Sequence, residues 1–213
     1  MSKRTDLSGK IFDLIRVFKI LSNVFLFNKP IRLFCRIRGI KLGKGTVFNG
    51  KPNINRAPGS SIIIGENCKF NSAKNSATLF VNQRCAFVTV LKDAEIVIGN
   101  NSGGTATTIA AASSVRIGDD VMIGANTKII DNDFHDPNPE KRDEIEFPAR
   151  PVIIDNNVFI GLNCLILKGV RIGENSVIGA NSVVLGSIPP NSVAMGNPCK
   201  VIMKRNWGKK EES

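Results

Sequence analysis

A six-residue spacing of aliphatic side chains constrains this chain more than any other feature. Ile117, Ile123 and Ile129 stand six apart, and after one break Ile154, Ile160, Ile166, Ile172, Ile178 and Val184 do the same. Glycine follows five of them, at Gly118, Gly124, Gly161, Gly173 and Gly179, with Asn or Asp close behind. Four residues after most ladder positions comes a small or β-branched side chain: Val121, Thr127, Val158, Cys164, Val170, Ser176, Ser182. A spacing of six does not fit the helical period but is a multiple of the strand period. The pattern predicts a short strand, a corner and another short strand, with Gly or Asn carrying the backbone round the corner. Six residues cannot bury their own apolar side chain, so such units must stack into a solenoid.

The break is the 21-residue stretch 131–151, which has no six-residue period, seven acids and three bases. Long irregular excursions from a regular scaffold tend to carry function. This one holds the only histidine of the chain, His135.

Charge divides the chain in two. Residues 1–60 contain 13 Lys and Arg against 2 Asp and Glu, which accounts for the whole net charge of +11. Within them, Ile11, Leu14, Ile15, Phe18, Leu21 and Phe25 follow helical spacing, with Lys10, Asp13, Arg16 and Lys19 on another stripe. The reading is an amphipathic helix over 11–27, ended or bent at Pro30. It serves either as a cap on one end of the solenoid or as a surface for anionic lipid or an anionic acceptor. Nucleic acid is not favoured, since no aromatic interleaving or binding module is present. No apolar run reaches transmembrane length and no cleavage pattern marks a signal peptide. Five scattered cysteines without CxxC spacing predict reduced thiols of a cytoplasmic chain, and one histidine makes a poor zinc set, so no metal is expected.

Residues 42–116 read as earlier, worn rungs. Ile64 and Ile98 are 34 residues apart, close to two turns of eighteen, with strands expected at 79–81 and 87–91. The organisation expected is a basic helical segment over 1–41, an all-β solenoid domain over 42–189 with its loop at 131–151, and a tail over 190–213. The end of that tail, 203–213, reads as short helix and disorder.

The ladder, the histidine loop and the closing segment from Ile188 to Ile202 resemble the hexapeptide-repeat acyltransferases. The branch is that of bacterial sugar and surface-polysaccharide O-acetyltransferases, related to the galactoside and maltose enzymes. That resemblance implies a left-handed parallel β-helix, a homotrimer with active sites between subunits, and acetyl-CoA as co-substrate. It implies His135 as the catalytic base. It also implies a coenzyme A site at Leu162, Ala180, Leu185 and Gly186, with Lys200 meeting the phosphates and a second basic position falling at Met203, beside Lys204 and Arg205; Lys168 is a further basic candidate. Where the galactoside enzymes keep an Asn before the loop, this chain has Thr105, a departure for which the resemblance does not imply a galactoside-type acceptor geometry. The implied acceptor is a sugar or surface-glycan hydroxyl, such as a lipopolysaccharide intermediate. N-acylation of an amino sugar and a non-catalytic scaffold are the alternatives.

The chemistry can also be argued from His135 itself. Acetyl transfer from a thioester to a hydroxyl needs a base, and an imidazole, ordinarily titrating at about 6.5, serves at neutral pH. A carboxylate beside the ring would fix its tautomer; Asp131 and Asp133 before it are the expected partners, Asp136 follows it, and spacing does not choose among them.

Overall fold

The computed structural model describes residues 7–73, 83–144 and 148–204. A long helix, α1 (Leu7–Ile37), leads into six coils, each made of three short strands on three faces. Coil 1 is β1 (Lys41–Leu42), β2 (Val47–Asn49) and β3 (Asn53–Asn55). Coil 2 is β4 (Ser61–Ile64), β5 (Lys69–Asn71) and β6 (Ala86–Thr89). Coil 3 is β7 (Glu95–Ile98), β8 (Gly103–Thr105) and β9 (Thr108–Ala111). Coil 4 is β10 (Ser114–Ile117), β11 (Met122–Ile123) and β12 (Lys128–Ile130). Coil 5 is β13 (Val152–Ile154), β14 (Phe159–Ile160) and β15 (Leu165–Ile166). Coil 6 is β16 (Arg171–Ile172), β17 (Val177–Ile178) and β18 (Val183–Val184). A closing hairpin of β19 (Ser192–Gly196) and β20 (Cys199–Lys204) follows. The first strands of the coils form sheet A, the second sheet B and the third sheet C, all paired in parallel. This is the left-handed parallel β-helix that the resemblance implies.

Each ladder residue stacks on its counterpart one coil away. Ile117 is in register with Ile154 and Ile154 with Ile172; Ile123, Ile160 and Ile178 form a second column, and Ile129, Ile166 and Val184 a third. None of the nine is more than 3% exposed. Burying a side chain of this size contributes roughly 1.5–3 kcal/mol, so the columns are the main apolar stabilisation of coils 4 to 6. The small residues four places on are also interior, including Cys164. Burial pushes that thiol up from its ordinary range, and the Cys35 thiol to about 11.

The corners divide work that the sequence pattern assigns jointly to Gly and Asn. Behind the ladder glycines the left-handed conformation is taken by Asn or Asp, as at Asn126, Asn163, Asn175 and Asn181, with φ between 56° and 61°; at the corners holding Gly45 and Gly169 a glycine takes it. Gly118, Gly124, Gly161, Gly173 and Gly179 have ordinary backbone angles, and what they supply is closeness. A Cβ on Gly124 would lie 2.4 Å from the Gly161 carbonyl carbon, and one on Gly161 2.5 Å from the Ala180 nitrogen.

Three expectations need correction. First, Ile64 and Ile98 are direct register partners, so the 34 residues make one coil, not two. The surplus lies between β5 and β6; the expected strand at 79–81 falls outside the described residues, and the one at 87–91 is β6. Second, α1 does not end at Pro30. Contacts on both sides hold it: Asn28 bonds the Phe48 N–H and C=O at 2.8 and 2.9 Å, and Arg32 donates to the Gly43 and Thr46 carbonyls. Tertiary bonds thus override the local penalty of the proline. Third, the tail is not separate. β19 extends sheet B in parallel beyond β17, and β20 turns back antiparallel through Lys204. Residues 203 and 204 are therefore strand, and the remainder of the expected terminal helix lies outside the described residues.

Candidate active site

The loop leaves sheet C after Ile130 and re-enters sheet A at Val152, so it projects from the corner between those sheets. Its base is closed like a drawstring. Asn132 pairs antiparallel with Ala149, and the Arg150 N–H donates to the Asp131 carbonyl at 2.8 Å. Asp133 forms an ion pair with Lys168, which stands at the same corner one coil on. Near the tip, Asn138 caps a short 3₁₀ turn, Pro139–Lys141.

His135 is exposed on this loop, and its Nδ1 lies 3.0 Å from the Arg142 carbonyl. A carbonyl can only accept, so the Nδ1 carries the proton and a neutral ring keeps its lone pair on Nε2. The preceding residue, Phe134, has φ 62°, a conformation that costs a bulky residue energy and marks an over-determined backbone. Its N–H is held by the buried Asn132 side chain at 2.9 Å.

The expected carboxylate partners are engaged elsewhere. Asp131 is fully buried, and its two oxygens accept from the Ala112 and Ser113 N–H groups, each at 2.7 Å. It braces the loop base against coil 3 because two backbone donors at that turn face inward without another acceptor. Asp133 is drawn to Lys168. Among the described residues neither carboxylate bonds the imidazole, and the carbonyl of Arg142 takes the tautomer-fixing position. Lys168 is thereby tied to the loop rather than presented to a phosphate.

The residues expected to hold coenzyme A fall on two corners. Leu162 and Ala180 stack on the corner between sheets B and C, where the Asn181 N–H donates to the Leu162 carbonyl at 2.9 Å. Lys200 reaches the same corner. It pairs with Met195 in the closing hairpin, and the Gly196 N–H is bonded to Ser182 there. Lys204 lies at the far end of β20, opposite Ser192, and Arg205 lies outside the described residues. Leu185 and Gly186 belong to the loop's own corner, between sheets C and A, two coils further on. A Cβ on Gly186 would meet nothing within 4 Å. Among the described residues no group of three His, Cys, Asp or Glu is placed to hold a metal.

A trough of about 810 Å³ runs across the outer face of sheet B, and the sequence reading missed it. Its floor is set by the outward column Lys69, Gly103, Met122 and Phe159, in which Gly103 leaves a notch. Asn71 lines its edge and donates to the Thr105 hydroxyl at 3.0 Å. The hydroxyl at the position of the family's Asn is thus joined by an amide from one coil earlier. Gly103 and Gly104 in succession were the only sequence signal for it.

Residues 114–129 and 151–185 match the family described as the hexapeptide repeat of succinyl-transferase. Over these segments the chain carries hexapeptide repeats similar to that family's. Over 99 residues it is 46% identical to the galactoside O-acetyltransferase of Escherichia coli, covering 46% of this chain and 48% of that one. The chain therefore spans about half the length of the curated relatives it matches. Among solved structures, it resembles a maltose O-acetyltransferase from Clostridium difficile at 27% identity and a TM-score of 0.54, over 94% of this chain and 89% of the other. An N-acyltransferase from Bacillus cereus shares the fold with a TM-score of 0.64 at 22% identity, over 82% and 88%.

Proposed function

We propose that the protein transfers an acetyl group from acetyl-CoA to a hydroxyl of a sugar or surface-glycan intermediate. The observation that carries this reading is the His135 ring, with its Nδ1 proton given to the Arg142 carbonyl and its Nε2 left basic. Nε2 takes the proton of the acceptor hydroxyl as the oxygen attacks the thioester carbonyl. The carbon–sulfur bond then breaks, and the proton passes from the imidazolium to the departing thiolate. Arg142 and Asp131 are positioning residues, one for the ring and one for the loop base.

The co-substrate has room where the chain is smallest. At the B–C corner, stacked Gly, Ala and small hydrophobic residues leave backbone groups open to an extended pantetheine arm, and Lys200 supplies charge for phosphate. The acceptor fits the trough: Met122 and Phe159 offer an apolar floor to a sugar ring, while Lys69, Asn71 and Thr105 offer donors.

His135 and Lys200 stand on different corners of one prism, so a complete site needs a second subunit. Below the trough, Val177 and Val193 on the outer face of sheet B supply apolar surface for that contact, in keeping with a homotrimer. The proposed setting is the cytoplasm, with peripheral contact to an anionic membrane through residues 1–60. Among the described residues no helix is long and apolar enough to cross a membrane.

The test is free-thiol release from acetyl-CoA with a panel of sugars and amino sugars. His135→Ala should lower turnover on the order of a hundredfold to ten-thousandfold while coenzyme A binding stays near normal. Lys200→Ala should raise the KM for acetyl-CoA with little effect on kcat. A His135→Ala variant keeping more than half of the wild-type turnover would overturn the base assignment. Transfer to amines alone would move the reading to N-acylation.

A further inference from the structure

α1 is two helices in function. Its second half is docked: Phe27, Ile31 and Cys35, spaced by four, pack onto the core, and Asn28 and Arg32 bond coil 1. Its first half presents Ile11, Leu14, Ile15, Phe18, Leu21 and Phe25, all between 50% and 73% exposed. On a helical period these six share one arc, opposite Phe27 and Ile31 and overlapping the direction of Asn28 and Arg32, while Val17 and Leu26 are exposed off it. Lys29 and Arg36 fall on that arc further along, and Lys29 sits over the Phe25 ring at 5.7 Å. One face thus runs from apolar to basic. On its flank, a groove of about 570 Å³ opens between the helix and coil 1, walled by Leu26, Pro30, Phe34 and Ile54, with Lys51 beside them.

We infer that this end of the molecule is a seat for an anionic phospholipid bilayer. The first half of α1 lies in the interfacial layer, the groove takes a lipid hydrocarbon chain, and Lys29, Arg36 and Lys51 meet the phosphates. Charge selects the occupant. A second copy would bring a segment of 13 basic and 2 acidic residues against its like, within a Debye length. An anionic bilayer supplies the opposite charge together with the apolar phase that the exposed arc requires.

The seat has a consequence for the acceptor, and this step rests on the acetyl-transfer reading. β3, beside the groove, and β12, which launches the histidine loop, are three strands apart in sheet C. At about 4.8 Å per strand the loop springs from the stack about 14 Å beyond the seat. A glycan attached to a membrane lipid would present a hydroxyl a few sugar units from its anchor at that height.

The full-length protein should sediment with phosphatidylglycerol-containing vesicles at least tenfold more than with phosphatidylcholine vesicles, and high salt should release it. Phe18→Ser with Leu21→Ser, and separately Lys29→Glu with Arg36→Glu, should each lose at least tenfold of that binding with oligomer size unchanged by light scattering. In a Trp207→Phe background, Phe18→Trp and Ile54→Trp report contact directly, and both should be quenched by lipids brominated on the chain. Absence of quenching, or equal binding to both vesicle types, overturns the seat. So does a Phe18/Leu21 variant that changes oligomer size while keeping its vesicle binding, which would assign the face to a second copy. Thiol release with soluble acceptors needs no vesicles, so the enzymatic reading stands or falls separately.

Discussion

Coils 1 to 3 and coils 4 to 6 share three faces and one register, yet they fill the interior differently. The later coils use aliphatic columns, and Ile154 to Ile172 is an eighteen-residue turn. Coils 1 and 2 add rings to the aliphatic residues of sheet A, and coil 3 has none. Phe48 stacks on Phe70 with centroids 5.6 Å apart, and Phe87 on sheet C meets Phe70 edge-on at 4.9 Å. A ring reaches across the prism from one sheet to another, so a coil containing one no longer needs an aliphatic at every sixth position. Backbone pairing holds the register in both halves; the earlier half writes it in aliphatic side chains on sheet A, through Ile64, Ile98 and Ile117, and the later half on all three sheets. Both matched repeat segments, 114–129 and 151–185, lie in that later half.

The difference can be broken at its centre by Phe70→Ala. Removing the ring that joins sheets B and C should cost about 3–5 kcal/mol in urea unfolding. A loss below about 1.5 kcal/mol would mean that the rings are not the core of coils 1 and 2. Gly124→Ala comes next. Its Cβ would meet backbone, which no rotamer change relieves, so a loss of about 3 kcal/mol is expected with lowered Tm. Asn163→Ala sharpens the account of the corners. It should cost about 1–2 kcal/mol from the left-handed backbone alone, whereas Asn163→Gly should be milder even though both lose the 2.7 Å bond to Asn181. Equal losses would assign the effect to that bond. Smallest is Ile166→Val, about 1 kcal/mol, the ordinary cost of one buried methyl group in an aliphatic column.

What could be read from residues alone follows the same division. The ladder from Ile117 to Val184 specifies columns, corners and the position of the loop, because its period is local. The coil closed by Ile64 and Ile98 could not be counted, because a 34-residue separation is equally compatible with two turns of eighteen. The role of Asp131 was illegible for another reason. Its partners are backbone N–H groups 18 and 19 residues earlier, which carry no side-chain signature. Asp133 and Lys168 are 35 residues apart and meet only because the solenoid returns to the same corner one coil later. The hairpin of β19 and β20 reverses direction after a uniformly parallel stack, and nothing periodic announces the reversal. His135 was legible as a unique residue, but its ring partner is a carbonyl, which every residue possesses.

The amide of Asn28 on the Phe48 backbone bears on a different question, that of how long such a stack can become. Every coil offers the next a template, and a pile of identical templates has no intrinsic length. Here growth is arrested at both faces by unlike stoppers. At one face a side chain occupies the N–H and C=O that another strand would claim. At the other, β20 runs the wrong way to seed a parallel successor. Sheet B is thus blocked at both of its edges by stoppers that do not match, which works against head-to-tail addition of a second stack.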